Sequence, residues 1–187
     1  GYLKRMGVTA VWISPVFKQV PADQHAYHGY GIQNFLDVEP NFGTRQELRD
    51  LVDQAHELGI YVILDIIFNH AGDVFGYDAD RYAPAGKPEG PMDPRWDGAP
   101  YRVAGFRAPG GETQIPFGPV DSDDHPQAWP DGAVWPAELQ ALGSFTTRGR
   151  INSWDYDPEY LEGDFFTLKD RDVLSGRQLL DILEEPI

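Results

Sequence analysis

The sequence predicts an α/β fold in which helices pack on the outside of a parallel sheet. Twice, a helical segment ends at a glycine and an apolar strand begins at once: Leu3-Lys4-Arg5-Met6-Gly7 before residues 8–13, and His56-Glu57-Leu58-Gly59 before residues 60–64. Between the two strands lies an amphipathic helix that carries its own start signal. Helices and strands alternating through short turns are the pattern of a parallel sheet, where each strand is followed by an outer helix.

In chain order, Gly7 ends the first helix where a positive φ is needed. The strand at 8–13 then stops at Ser14-Pro15, because proline cannot donate to a sheet ladder. From Pro15 to Thr44 the connection runs to about 28 residues, far beyond the usual 2–6 for a strand-to-helix loop. Thr44 and Glu47 form a capping box, and Leu48, Leu51, Val52, Ala55 and Leu58 recur on one face of the helix that follows. Next comes Tyr61-Val62-Ile63-Leu64-Asp65-Ile66-Ile67-Phe68-Asn69-His70. So continuous an apolar run reads as a strand buried on both faces, with its polar end leaving the core. Ligands of parallel α/β folds bind at such carboxyl ends. Asp65, Asn69 and His70 are therefore candidate site residues, set against the plain alternative of turn caps and a loop histidine.

After His70 the helix–strand rhythm stops. Residues 71–164 hold 25 glycines and prolines, which alone would resemble a disordered segment. The same stretch also carries Phe75, Tyr77, Trp96, Phe106, Phe117, Trp129, Trp135 and Phe145 among its aromatics. Disordered chains are poor in aromatics, so an irregular but folded excursion is expected. A last helical pattern, with Val173, Leu179, Leu180, Ile182 and Leu183, spans 172–184. The chain starts at Gly1 inside a helical turn and ends just after this pattern, so a piece of a longer protein is expected.

Composition narrows the function classes. A formal net charge of -15 at pH 7 disfavours nucleic acid and anionic membranes as partners, since both demand clustered Lys and Arg. With no cysteine, disulfides and thiolate metal sites are excluded. No apolar run reaches the roughly 18 residues of a membrane span. Phosphate-cradling glycine loops, an HExxH helix and a GxSxG elbow are all missing, although His25 and His28 stand three apart among loop glycines.

Two features could contact a ligand. In Ala26-Tyr27-His28-Gly29-Tyr30, aromatics on a glycine-containing loop above the sheet can stack on the apolar C–H face of a pyranose, with ordinary loop packing as the alternative. At the strand end, His70 can donate to a ligand hydroxyl, Asp65 accepts, and the Asn69 amide offers a hard oxygen suited to Ca²⁺. A calcium site needs a further carboxylate, and the acidic run Asp155, Asp157, Glu159, Glu162, Asp164 could supply one.

Together these segments resemble glycoside hydrolase family 13, the α-amylase family. The match lies in residues 7–15, in Tyr27-His28-Gly29-Tyr30, and in Asp65-Ile66-Ile67-Phe68-Asn69-His70, which follows the family's DxxxNH pattern. The resemblance implies a partial (β/α)8 TIM barrel with a loop-rich domain inserted after the third strand. Barrel strands two and three would be 8–13 and 61–68. Residues 1–70 would belong to the barrel, 71–170 to the inserted domain B, and 171–187 to the next barrel helix. It further implies that Tyr30 stacks on the sugar, that His70 binds its hydroxyls and that Asp65 braces them from below. Asn69 and Asp164 would be calcium ligands. The partner would be an oligo- or polysaccharide α-glucoside.

The family cleaves or transfers α-glucosidic bonds with retention, through a nucleophile and an acid carboxyl about 5 Å apart. Its GxRxDxxKH, Glu and HD motifs are not found in this sequence, and Asp170-Arg171-Asp172 lacks the strand that should precede it. The expectation is a segment of a retaining hydrolase or transglycosidase with part of the substrate site and no catalytic carboxylates, inactive alone. The alternative is a non-catalytic binding or structural protein on the same framework.

Overall fold

A computed structural model describes residues 1–24, 26–78, 103–151, 163–165 and 167–171. His25, the acidic residues 155–162, and the helical pattern at 172–184 lie outside them.

Helix α1 (Tyr2–Arg5) leads into strand β1 (Ala10–Ile13), helix α2 (Arg45–Glu57) follows, and strand β4 (Tyr61–Leu64) returns beside β1. Gly7 and Gly59 both take positive φ, +82° and +65°, at the two turns where the sequence demands it. The capping box at α2 is formed: the Glu47 N–H donates to the Thr44 hydroxyl, and the Glu47 carboxylate accepts from the Thr44 N–H. β1 and β4 pair in parallel, from Ala10 opposite Tyr61 to Ile13 opposite Leu64.

Two expectations for this unit need correction. The strand expected over 61–68 ends at Leu64, because its partner stops before Ser14-Pro15 and the Asp65 N–H makes the last rung, 3.1 Å to the Ile13 carbonyl. Nor is the run buried on both faces. Trp12 is 72% exposed and Tyr61 73%, with Ile63, Leu64 and Ile66 also exposed. Among the described residues β1 and β4 have only each other as ladder neighbours. Each large apolar side chain left in water forgoes about 1.5–3 kcal/mol of burial free energy.

The connection between Pro15 and Thr44 is more than a loop. It contains strands β2 (Phe17–Gln19) and β3 (Ile32–Val38), paired antiparallel with register shifts, and a 3-10 turn at Ala26–His28. Downstream, β5 (His70–Gly72) pairs antiparallel with β8 (Leu168–Asp170), and β6 (Phe75–Tyr77) with β7 (Val103–Phe106). The core sits here. Phe35, Phe75, Phe106, Ile115 and Leu139 are fully enclosed, joined by Val134, Trp135 and Phe145. Phe75 makes edge contacts with Phe117 and Phe145 at centroid distances of 5.1 and 5.2 Å, a geometry aromatic pairs favour. The described parts of the excursion after His70 are therefore folded through their aromatics, although Trp129 stays half exposed.

Gly72 positions the site. A Cβ there would come within 2.5 Å of both the Gly31 carbonyl oxygen and Val20 Cγ2. Only glycine lets β5 lie against the loop that carries Tyr30, which brings His70 beside that loop.

Candidate functional site: a Tyr30–Asp65–His70 corner

Three of the sequence-predicted residues meet at Tyr30. Its hydroxyl donates to Asp65 Oδ2 at 3.2 Å, and its backbone carbonyl lies 3.2 Å from His70 Nε2. Its N–H donates to His28 Nδ1 at 2.9 Å, with the two rings 5.6 Å apart. Asp65 makes the last ladder rung just past β4, and His70 opens β5, so the DxxxNH spacing spans the gap between two strands.

The chemistry follows from who donates. A carbonyl can only accept, so His70 carries its proton on Nε2, and among the described residues Nδ1 is left to accept from a ligand hydroxyl. Burial first, then His28, pull the His70 imidazolium below its ordinary range, against the Tyr30 carbonyl that favours it. Partial burial and then the Asp65 carboxylate push the Tyr30 phenol above its usual value. At neutral pH the corner thus presents a neutral imidazole, an un-ionised phenol held to a carboxylate, and half-exposed surface around them. Tyr27 is 80% exposed and reaches the corner only through His28, with the two ring centroids 5.8 Å apart.

Gln19 is the residue sequence reasoning missed. Its buried amide donates to the Gly29 carbonyl at 3.0 Å and accepts from the Gly31 N–H at 2.8 Å, clamping the loop on both sides of Tyr30. The only trace in the sequence is one amide within Val16-Phe17-Lys18-Gln19-Val20.

The residues named for calcium stand differently. Asn69 is exposed, and its backbone carbonyl accepts from the Arg171 N–H at 3.0 Å. Asp164 is fully buried, and both its oxygens are already engaged. Oδ2 accepts from the Tyr77 hydroxyl and has the Lys169 ammonium at 3.9 Å, while Oδ1 accepts from the Asp170 N–H at 2.9 Å. Asp73 lies in the same cluster, with Lys169 Nζ at 2.5 Å, Arg107 Nη2 at 2.7 Å and Arg150 Nη2 at 3.1 Å. Burial alone would raise the Asp73 carboxyl, but those three cations outweigh it and hold it below its ordinary value. This donor set does not fit a calcium ion at Asp164, because an ammonium stands where the ion's charge would be. Among the described residues no group of three or more His, Asp or Glu is arranged to hold a metal.

Comparison with known proteins decides the family. The family model described as the α-amylase catalytic domain matches residues 1–93. An α-amylase of Streptomyces lividans is 36% identical over 132 residues, which is 67% of this chain and 14% of that protein. The chain belongs to the α-amylase family. Maltase A2 of Drosophila melanogaster is 45% identical over 73 residues, covering 39% of this chain and 12% of the maltase. Among solved structures, the three-domain cyclomaltodextrin glucanotransferase CldA superposes on 98% of the chain and 31% of its own, at 29% identity and a TM-score of 0.54. The chain spans a small part of these α-amylase-family relatives, so this membership establishes an α/β fold and a glycoside hydrolase kinship. Tyr30, Asp65 and His70 all lie within the matched residues, as does Asp73, whereas Asp164 and Lys169 lie beyond them.

Proposed function

We propose that this chain contributes part of the substrate site of a retaining α-glucosidic hydrolase or transglycosidase. In this reading residues 1–70 supply barrel strands two and three, 71–170 form the inserted domain B, and 171–187 begin the next barrel helix. Tyr30 offers its ring face to a glucosyl unit, His70 accepts from one of its hydroxyls, and Asp65 holds the phenol in place. The substrate is an oligo- or polysaccharide α-glucoside. No motif of the 187 residues supplies a nucleophile or acid, so the chain alone binds sugar and does not cleave it.

What carries the reading is the convergence on Tyr30: one residue tied through its hydroxyl to Asp65 and through its carbonyl to His70. A purely structural turn has no need for an aromatic ring, an acid and a neutral imidazole to share one half-open corner. The exposed faces of β1 and β4 support the barrel reading, because barrel strands bury such residues against further strands. Calcium is left out of the proposal, given the ammonium against Asp164.

An NMR titration with a maltooligosaccharide tests it. Saccharide-dependent shifts are expected at Tyr30, Asp65 and His70, lost in Tyr30→Ala and absent with a β-linked cellooligosaccharide. Equal response to both sugars, or none at these residues, would sink the proposal.

A further inference from the structure

The mechanism proposed above uses none of the charged residues buried beneath β5 and β8. Lys169 is completely enclosed, with its Cα opposite Ala71, next to His70 in the β5–β8 register. Its ammonium lies 2.5 Å from Asp73 Oδ1 and 3.9 Å from Asp164 Oδ2. The Phe75 and Tyr77 rings flank it at 5.3 and 5.6 Å from Nζ to centroid. The surrounding aromatics add a favourable cation–π term in a site that excludes water.

We propose that the Lys169 ammonium is the resident cation of this junction, joining Asp73 to Asp164 as a bound metal ion would, so that the His70 corner is held without calcium.

The donor set supports this in three ways. First, the carboxylate oxygens face donors or cations: Asp73 Oδ2 meets Arg107 and Arg150, Asp73 Oδ1 has an ion contact with Lys169 but no aligned hydrogen bond, and Asp164 accepts from Tyr77 and the Asp170 N–H. Calcium takes 6–8 oxygen ligands at about 2.3–2.6 Å, and among the described residues no group of three or more His, Asp or Glu is arranged to supply them. Second, the charge is already balanced. Three cations, Lys169, Arg107 and Arg150, face three carboxyl groups, Asp73, Asp164 and Asp170, so a divalent ion would enter a cluster with no net negative charge to attract it. Third, the elements joined are the right ones. Asp73 directly follows β5, Lys169 belongs to β8, and Asp164 sits just before β8 with its Oδ1 on the Asp170 N–H. Removing the ammonium would leave the fully buried Asp164 without a counter-charge at the base of the strand pair that carries His70, whereas Asp73 would keep Arg107 and Arg150. An unpaired buried charge is among the most costly defects a fold can carry.

The test is the thermal unfolding of the chain, followed by near-UV circular dichroism, in chelator and in millimolar CaCl2. The folded signal is expected in chelator, with the same midpoint in both. An ion bound at a hundredfold excess over its Kd would raise the midpoint by roughly 5–10 °C. Such a rise, stoichiometric ⁴⁵Ca²⁺ retention on dialysis, or a chain that folds only with calcium would each overturn the proposal. Lys169→Met, which keeps the length and removes the charge, is expected to lose the folded signal or to melt several degrees lower in both buffers. A Lys169→Met chain that melts with the wild-type would equally overturn it.

Discussion

The β1–α2–β4 unit and the irregular region around Phe75 invert the usual relation between regularity and burial. The first has capped helix ends, glycine turns and a clean parallel register, yet its large side chains face water. The second is built from strands of three or four residues, a bulged register and proline turns, yet encloses most of the core. Regular local structure is set by short-range signals, whereas burial needs partners from elsewhere in the chain. Here the excursion brings its own aromatic partners, while β1 and β4 have only each other among the described residues.

Substitutions can break or sharpen that contrast. Phe75→Ala should cost about 3–5 kcal/mol, since it empties the centre of the aromatic cluster. Denaturant titration checks this; a loss as small as a surface change would relocate the core. Gly72→Ala comes next, at about 1–3 kcal/mol, because its Cβ would collide with the Gly31 carbonyl. It should also weaken the sugar response at Tyr30 by displacing that loop from His70. Thr44→Ala removes an exposed cap and should cost about 1 kcal/mol. Trp12→Ser should change stability by no more than about 0.5 kcal/mol, an unusually small effect for a tryptophan. A large loss there would show that β1 is covered.

Asp170 gives the contrast a pH signature. Burial, then the Asp164 carboxylate, push its carboxyl up from 3.8 to about 6, against the pull of Lys169. A carboxyl with a raised folded pKa favours the fold most below its unfolded value, and that contribution is lost as pH rises through the folded value. Asp170→Asn should therefore flatten the stability profile between about pH 4 and 6 and leave the chain more stable at pH 7 than the wild-type. An unchanged profile in paired urea titrations would contradict the burial of that carboxyl.

How much of this was legible in the sequence follows the same division. The Gly7 and Gly59 turns, the Thr44–Glu47 cap and the parallel strand pair were readable because each signal lies within a few residues. Asp65, His70 and Tyr30 were readable as a set through the DxxxNH and Tyr-His-Gly-Tyr patterns, and the structure brings them together. The apolar run at 61–68 misled, because an apolar strand gives no sign of whether its neighbours are present. β2 and β3 were hidden inside what looked like one long loop, since their pairing is bulged and short. Least visible was the ion cluster. Asp73, Arg107, Arg150 and Lys169 are ordinary surface residue types scattered across the excursion, and only the fold gathers them. The resemblance implies a calcium carboxylate at Gly163-Asp164-Phe165, and nothing in that string announces the Lys169 ammonium that lies 3.9 Å from Asp164.

The proposed function gives the chain a sugar-contact corner without bond-breaking groups. Release of nitrophenol from an aryl α-maltoside by the purified chain tests it most directly. No release above the buffer rate is expected, with saccharide binding at Tyr30 intact. Turnover by the chain that disappears in Asp65→Ala or Asp164→Ala would contradict it.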